Sequence, residues 1–190
     1  VRTIAGSVAP QHGYADGKAG VARFDHPEDV AVDASGNVYV ADTSNHLIRK
    51  LDADGNVTTV AGSQGKPGSA DGKGSAAQFN NPRGVAVDPV GNVYVADTTN
   101  QRIRKVAADG QVTTVAGGAT GFADGTGAAA AFSSPRDLAW LPSGEFVVVD
   151  SGNHALRRMT PGGAVSTWVG SATNGFADGP GVLGARFNNP

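Results

Sequence analysis

Aspartate, asparagine and arginine, which together make carboxylate–amide–guanidinium constellations, recur in a fixed order along this chain. The sets are Asp42, Asn45 and Arg49; Asp97, Asn100 and Arg104; and Asp150, Asn153 and Arg157. One such trio could hold and polarise a substrate. Three equivalent trios argue for architecture instead, because chemistry needs one asymmetric site, and the expected roles are turn geometry and pairing between neighbouring sheets. A second carboxylate series, Asp16, Asp71, Asp124 and Asp178, sits each time in the triplet Ala-Asp-Gly. Regular Asp beside Gly invites a calcium reading, but calcium takes six or more oxygens and each loop offers one carboxylate. These residues read as N-caps of a short helical turn, with Ala22 and Phe24, or Ala77 and Phe79, packing downstream.

Imidazoles test the catalytic alternative. The four histidines are His12, His26, His46 and His154. His26 stands just before an apolar run, in Phe24-Asp25-His26-Pro27, and is the one candidate metal ligand. Its counterparts are Asn81, Ser134 and Asn189, so the other repeats do not supply the three converging ligands a zinc site needs. His46 and His154 alternate with Gln101 at an equivalent turn and are expected to face solvent. No cofactor is expected.

The elements that must position these residues come from an internal repeat. The Ala-Asp-Gly triplets recur every 53 to 55 residues, and a Phe-x-x-Pro element follows each, at Phe24/Pro27, Phe79/Pro82, Phe132/Pro135 and Phe187/Pro190. Between these landmarks lie four short apolar runs separated by turn residues. In the first copy they are Val30–Asp33, Asn37–Asp42, Leu47–Asp52 and Val57–Ala61. Turns such as Ser35-Gly36-Asn37 and Asp54-Gly55-Asn56 join strands this short only to their immediate antiparallel neighbours. Each repeat is therefore one four-stranded sheet that must stack on the next, and radial stacking of such sheets is a β-propeller. The first strand (VAVD, VAVD, LAWL) is the inner one, and VTTVA, with its two Thr, suits the exposed outer edge.

These runs resemble the NHL repeat family of β-propellers. The shared pattern is P-x-G-V-A-V-D, then G-N-V-Y-V-A-D, then T-x-N-x-x-I-R-K. Pro82–Lys105 holds all of it, Pro27–Lys50 has Glu28-Asp29 in place of Arg-Gly, and Pro135–Arg158 keeps the outline. The resemblance implies an all-β fold, six blades in a complete ring, and roles ranging from protein, RNA or extracellular ligand binding to, rarely, lyase chemistry. The long Gly-rich connection AGSQGKPGSADGKGSAAQFNNP is similar to the bacterial and extracellular branch of the family, which implies a secreted or surface location.

Composition agrees. Gly contributes 28 of 190 residues and charged residues 17%, as suits short strands and tight turns. A net charge of −2 gives no field to hold a phosphate backbone, and no basic stripe or exposed aromatic platform favours RNA. The absence of Cys excludes disulfides and thiolate metal sites. No apolar run approaches a membrane span.

The expected organisation is an outer strand and loop over 1–27, then blades over 28–82, 83–135 and 136–190. Three blades do not close a ring. Val1–Ala5 (VRTIA) aligns with the outer strands Val57–Ala61 and Val112–Ala116. The expected partner is therefore either the remaining blades of a longer chain or a second copy, as three blades plus three. The function implied is a non-catalytic binding or scaffold module for a protein, glycan or small ligand. The alternative is a fragment of a metal-dependent propeller lyase or hydrolase, completed by other blades.

Overall fold

The computed structural model describes residues 3–6, 12–179 and 184–190. The first sheet contains β1 (Gly17–Lys18), β2 (Pro27–Val32), β3 (Val38–Asp42), β4 (Leu47–Leu51) and β5 (Asn56–Ala61), in the order β1-β5-β4-β3-β2. The second has the same order, with β6 (Gly72–Lys73), β7 (Pro82–Val87), β8 (Val93–Asp97), β9 (Arg102–Val106) and β10 (Gln111–Gly117). Next come β11 (Ala119–Thr120), β12 (Gly125–Thr126) and β13 (Ala131–Phe132), with β11 and β13 paired in parallel. The third large sheet is β12-β17-β16-β15-β14, where β14 is Pro135–Trp140, β15 Phe146–Asp150, β16 Ala155–Met159 and β17 Ala164–Gly170. The four long strands of each sheet fall on the runs expected from the sequence.

Local chemistry explains the meanders. Asp33 follows β2, and its Oδ1 accepts the N–H groups of Ser35 and Asn37, both at 2.9 Å, while Oδ2 takes the Asn37 side-chain amide at 2.7 Å. Asp88 repeats this around Val90 and Asn92. Gly36 (φ 81°) and Gly91 (φ 89°) supply the left-handed residue that the turn requires. In the third sheet Leu141 replaces the Asp, yet the backbone bonds Leu141 N to Glu145 O and Gly144 N to Leu141 O persist.

One expectation needs correction. The outer strands are not bare edges: Gly17 and Lys18 pair with Val57 and Asn56, Gly72 and Lys73 with Val112 and Gln111, and Gly125 and Thr126 with Val165 and Ala164. Each sheet thus has a fifth, two-residue strand. It follows the Asp of Ala-Asp-Gly, and at Gly125 a Cβ would lie 2.9 Å from the carbonyl carbon of Ala129, so only glycine fits. The expected strand Val1–Ala5 begins on residues 1 and 2, which lie outside the described residues, and residues 3–5 form no strand.

The chain forms two compact units, Val1–Val95 with Lys105–Thr113, and Ala96–Arg104 with Thr114–Pro190. In the first, Ala41, Ile48 and Ala61 of one sheet pack against Ala77, Phe79, Val85, Val93, Val95, Val106 and Val112. The junction carries polar bonds too: Val85 N–H donates to Asp29 Oδ2 (2.8 Å), and Arg83 pairs with Glu28 (3.4 Å). On the opposite face of the first sheet, Phe24, Val30, Val38, Val40 and Leu51 line an apolar hollow with Ile4, Ala5 and Pro27. Val30 is 57% exposed, whereas its repeat counterpart Val85 is 3% exposed, so the same position is dry only where another sheet covers it. In the second unit Phe132, Leu138, Phe146, Val148 and Met159 are buried, and Trp140 meets Phe146 edge-on at 4.8 Å. Among the described residues no helix is long and apolar enough to cross a membrane.

Phe79 is fully buried between the two sheets of the first unit. Phe79→Ala should cost about 3–5 kcal/mol; chemical denaturation of the two proteins measures it, and a loss under 1 kcal/mol would contradict this packing.

Candidate functional site

The recurring trio forms a clamp inside each blade. β3 ends on Asp42, a 3-10 turn covers Thr43–Asn45, and β4 returns carrying Arg49. Asp42 Oδ2 accepts Arg49 Nη1 at 2.7 Å and Asn45 Nδ2 at 2.9 Å, and Oδ1 accepts the N–H of Asp25 at 2.7 Å. The rest of the guanidinium reaches the Gly-rich loop ahead of the blade. Nη2 donates to Ala15 O (2.7 Å) and Asp16 Oδ1 (2.6 Å), and Nη1 also donates to Arg23 O (3.0 Å). The rings of Tyr14 and Phe24 lie 4.9 and 5.1 Å from its centre. The Arg49 side chain is fully buried.

The third blade repeats the arrangement. Arg157 donates to Asp150 (2.7 Å), Asp124 (2.7 Å), Ala123 O (2.8 Å) and Ala131 O (3.2 Å), with Phe122 and Phe132 at its faces. Asn153 and the Ser133 N–H complete Asp150. In the second, Asp97 binds Asn100 and Arg104, both at 2.8 Å.

Asp16 and Asp124, expected as N-caps, are therefore not caps. Asp16 and Asp124 are ion-pair partners of the blade's arginine and also bind the outer strand, Asp16 through the Thr59 N–H and hydroxyl, and Asp124 through the Thr167 hydroxyl. The short 3-10 turns after the second and third triplets are preceded at their N-caps by Lys73 and Thr126, with no side-chain cap bond. A carboxylate beside a buried guanidinium gains a charge-assisted bond that a cap does not offer. Asp71 and Asp178 occupy the same triplet position.

Burial pushes the Asp42 and Asp150 carboxyls above their ordinary range, against the pull of their N–H donors and the arginine. For Asp124 burial also pushes upward, but Arg157 and Thr167 more than offset it, and this carboxyl titrates below its ordinary 3.8.

The histidines divide into two groups. His46 and His154 were expected to face solvent; both are half-buried and act between repeats. Each ends its 3-10 turn in the left-handed region (φ 60° and 53°), and its Nδ1 accepts an N–H from the next repeat, Asn81 at 3.2 Å and Asn189 at 3.1 Å. Gln101 does the same with Oε1 toward Ser134 N. At the other end of each turn a hydroxyl donates to the adjacent proline carbonyl: Thr43 to Pro82 (2.8 Å), Thr98 to Pro135 (2.7 Å) and Ser151 to Pro190 (2.5 Å). The x-Pro steps at Pro82, Pro135 and Pro190 are thus gripped on both sides. The interchange of His with Gln, two side chains that offer an acceptor at similar reach, was the signal available in the sequence.

His26 is the other kind. It has the left-handed φ (48°) of its counterparts Asn81, Ser134 and Asn189, and its side chain is 77% exposed. Its Nδ1 lies 2.5 Å from Asp25 Oδ1 and 3.3 Å from Ser44 Oγ, and His12 Nδ1 stands 3.5 Å from Asp25 Oδ2. A serine, a histidine and an aspartate meet here, but both oxygens address the same ring nitrogen, whereas a proton relay needs them on opposite nitrogens. Among the described residues no group of three or more His, Asp or Glu side chains could hold a metal ion.

Comparison with known proteins places this geometry among others. The family model described as NHL repeat matches residues 24–51, 79–106 and 132–159. NHL repeat-containing protein 2 of Gallus gallus is 38% identical over 116 residues, 60% of this chain but 16% of that protein. Among solved structures, an auxiliary nutrient binding protein from Bacteroides thetaiotaomicron superposes with a TM-score of 0.62 at 23% identity, over 73% of this chain and 36% of the other. A catalytically inactive virginiamycin B lyase from Staphylococcus aureus, with quinupristin, superposes at 0.55 and 14% identity, over 84% and 43%. At these identities the structural likeness concerns the fold.

Removing one partner of a buried ion pair strands the other. Arg157→Ala should cost about 3–5 kcal/mol, and Arg157→Lys, which keeps charge but loses the planar fork, should fall between it and the parent in denaturant midpoint. Asp124 has a lowered folded pKa, so its contribution is present above the unfolded value and is lost as the pH falls through the folded one. The melting temperature should drop between about pH 5 and pH 3, and Asp124→Asn should flatten that drop; an unchanged acid limb in the variant would refute the assignment.

Proposed function

For a chain that belongs to the NHL-repeat family of β-propellers, we propose a non-catalytic role, as a platform of blades whose loops bind a protein, glycan or small ligand. One observation carries this reading: the residues capable of chemistry recur blade by blade and are consumed in holding the blades. Asp42, Asn45 and Arg49 bind one another and the loop, as do Asp150, Asn153 and Arg157, and His46 and His154 give their Nδ1 to backbone N–H groups. The basic pairs of the third strands support the same conclusion about nucleic acid. Arg49, Arg104 and Arg157 are buried, which leaves one member of each pair for solvent and no stripe for a phosphate backbone. The exposed Val30 and Val32 on the first sheet fit coverage by a further blade.

One group favours the alternative, a propeller lyase or hydrolase. His12, Asp25, His26 and Ser44 cluster in the first repeat, and a virginiamycin B lyase shares the fold. A combined screen separates the readings: glycan and peptide arrays for binding, and lactone and cyclic-peptide substrates, with and without divalent cations, for turnover. Saturable binding without turnover is the expected result. Turnover abolished by His26→Ala would move the lyase reading ahead.

A further inference from the structure

The 3-10 turns after β3 and β8 both end on a residue in the left-handed region, His46 (φ 60°) and Gln101 (φ 56°). Each accepts a backbone N–H from the step that opens the next inner strand: His46 Nδ1 takes that of Asn81 at 3.2 Å, and Gln101 Oε1 takes that of Ser134. The two acceptors differ in one respect. An amide oxygen accepts at any ordinary pH. An imidazole Nδ1 accepts only while the ring is neutral with its proton on Nε2, and imidazolium is a donor at both nitrogens.

What the bond holds is a strained residue. Asn81 has φ 51° and precedes Pro82. For a residue other than glycine, and before a proline ring above all, that region is costly and the extended one is favoured. Contacts on either side of the step oppose this preference: the His46 acceptor, and the Thr43 hydroxyl, which donates to Pro82 O at 2.8 Å. Of these two only the imidazole titrates. Asn81 is half-buried, so its N–H set against an imidazolium N–H would place two donors face to face in a site with little water to separate them.

Other charged groups surround the turn. Asp42 and Arg49, on the strands that flank it, are paired at 2.7 Å, and Lys50 follows on the same strand. Asp25 lies on one side, its carbonyl taking the Ser44 N–H, together with His26 and His12. The connection over 62–81 carries Lys66, Asp71 and Lys73, and beyond Pro82 stands Arg83, paired with Glu28 at 3.4 Å. Burial pushes the Asp42 carboxyl above its ordinary range, which makes it the second group at this turn able to change charge as the pH falls.

We propose that His46 is a pH-sensitive latch on the Asn81–Pro82 step: protonation of its ring removes the acceptor, frees Asn81 toward the extended region and loosens the end of the connection over 62–81, whereas the Ser134–Pro135 step, held by Gln101, does not respond. The bond requires the neutral ring, so the latch is closed where imidazole is neutral and opens as the pH falls through about 6.5 and below. The latch is independent of what the blades bind.

Hydrogen exchange of the full chain, followed amide by amide by NMR from about pH 7.5 to about pH 5, across the range in which imidazole titrates, tests the latch. The protection factor of the Asn81 amide, which removes the intrinsic pH dependence of exchange, should fall about tenfold on acidification. Its midpoint should coincide with the titration of the His46 ring C–H signals, while the Ser134 protection factor stays constant. His46→Gln gives the first repeat the acceptor that the second already has, and should keep Asn81 protected throughout. Unchanged Asn81 protection in the parent chain, an equal loss at Ser134, or a loss that persists in His46→Gln and so follows Asp42 overturns the proposal.

Discussion

Burying an arginine side chain in a small β-sheet is the constraint on which this structure turns. A guanidinium stripped of water costs several kcal/mol unless its N–H groups find oxygen acceptors, at least one of them charged. A five-residue strand cannot supply them. Asp42 and Asp150 come from the neighbouring strand and the remainder from a loop more than twenty residues upstream, so the sheet is satisfied only when that loop is in place. The dependence runs both ways. A connection as rich in glycine as these is costly to order, and the clamp fixes the first and third loops at two backbone carbonyls, one carboxylate and two rings.

Within a blade the polar work is done by charge; between repeats neutral bonds and apolar area dominate, beside the Glu28–Arg83 pair and the Asp29 bond to Val85. The hydroxyl and the His or Gln acceptor of each 3-10 turn hold the next x-Pro step, and in the first unit Ala41, Ile48 and Ala61 close the apolar contact. Ala41 and Ala61 leave room for Phe79 and the valines of the second sheet, which lets the sheets approach closely. A histidine in such a joint is a hydrogen-bond acceptor first, and its presence is no sign of catalysis.

The repeat, the four long strands and the turns were legible because each rests on contacts a few residues apart. Asp33, Gly36 and Asn37 determine their hairpin whatever surrounds it. The role of Asp16 was not legible. Its partner lies 33 residues away, and an acidic residue beside glycine serves equally well as a cap. The two-residue strands escaped for another reason, since alternation needs several residues to show. The inward direction of Arg49 could be seen only once register put Lys50 on the other face.

The clamp also marks where one hereditary unit stops and the next begins. Its donors and acceptors in the first blade fall between Gly13 and Thr59, loop first and sheet after, and in the third between Gly121 and Thr167. A gene segment copied from loop to outer strand carries a whole, neutralised arginine with it. A segment copied from inner strand through the following loop carries an arginine that keeps Asp42 or Asp150 but lacks its loop carboxylate and carbonyls. Duplication in the first frame adds a stable module in one step, so unequal crossing-over can lengthen or shorten such arrays without passing through an unfolded intermediate, provided its breakpoints fall just before the Ala-Asp-Gly loops.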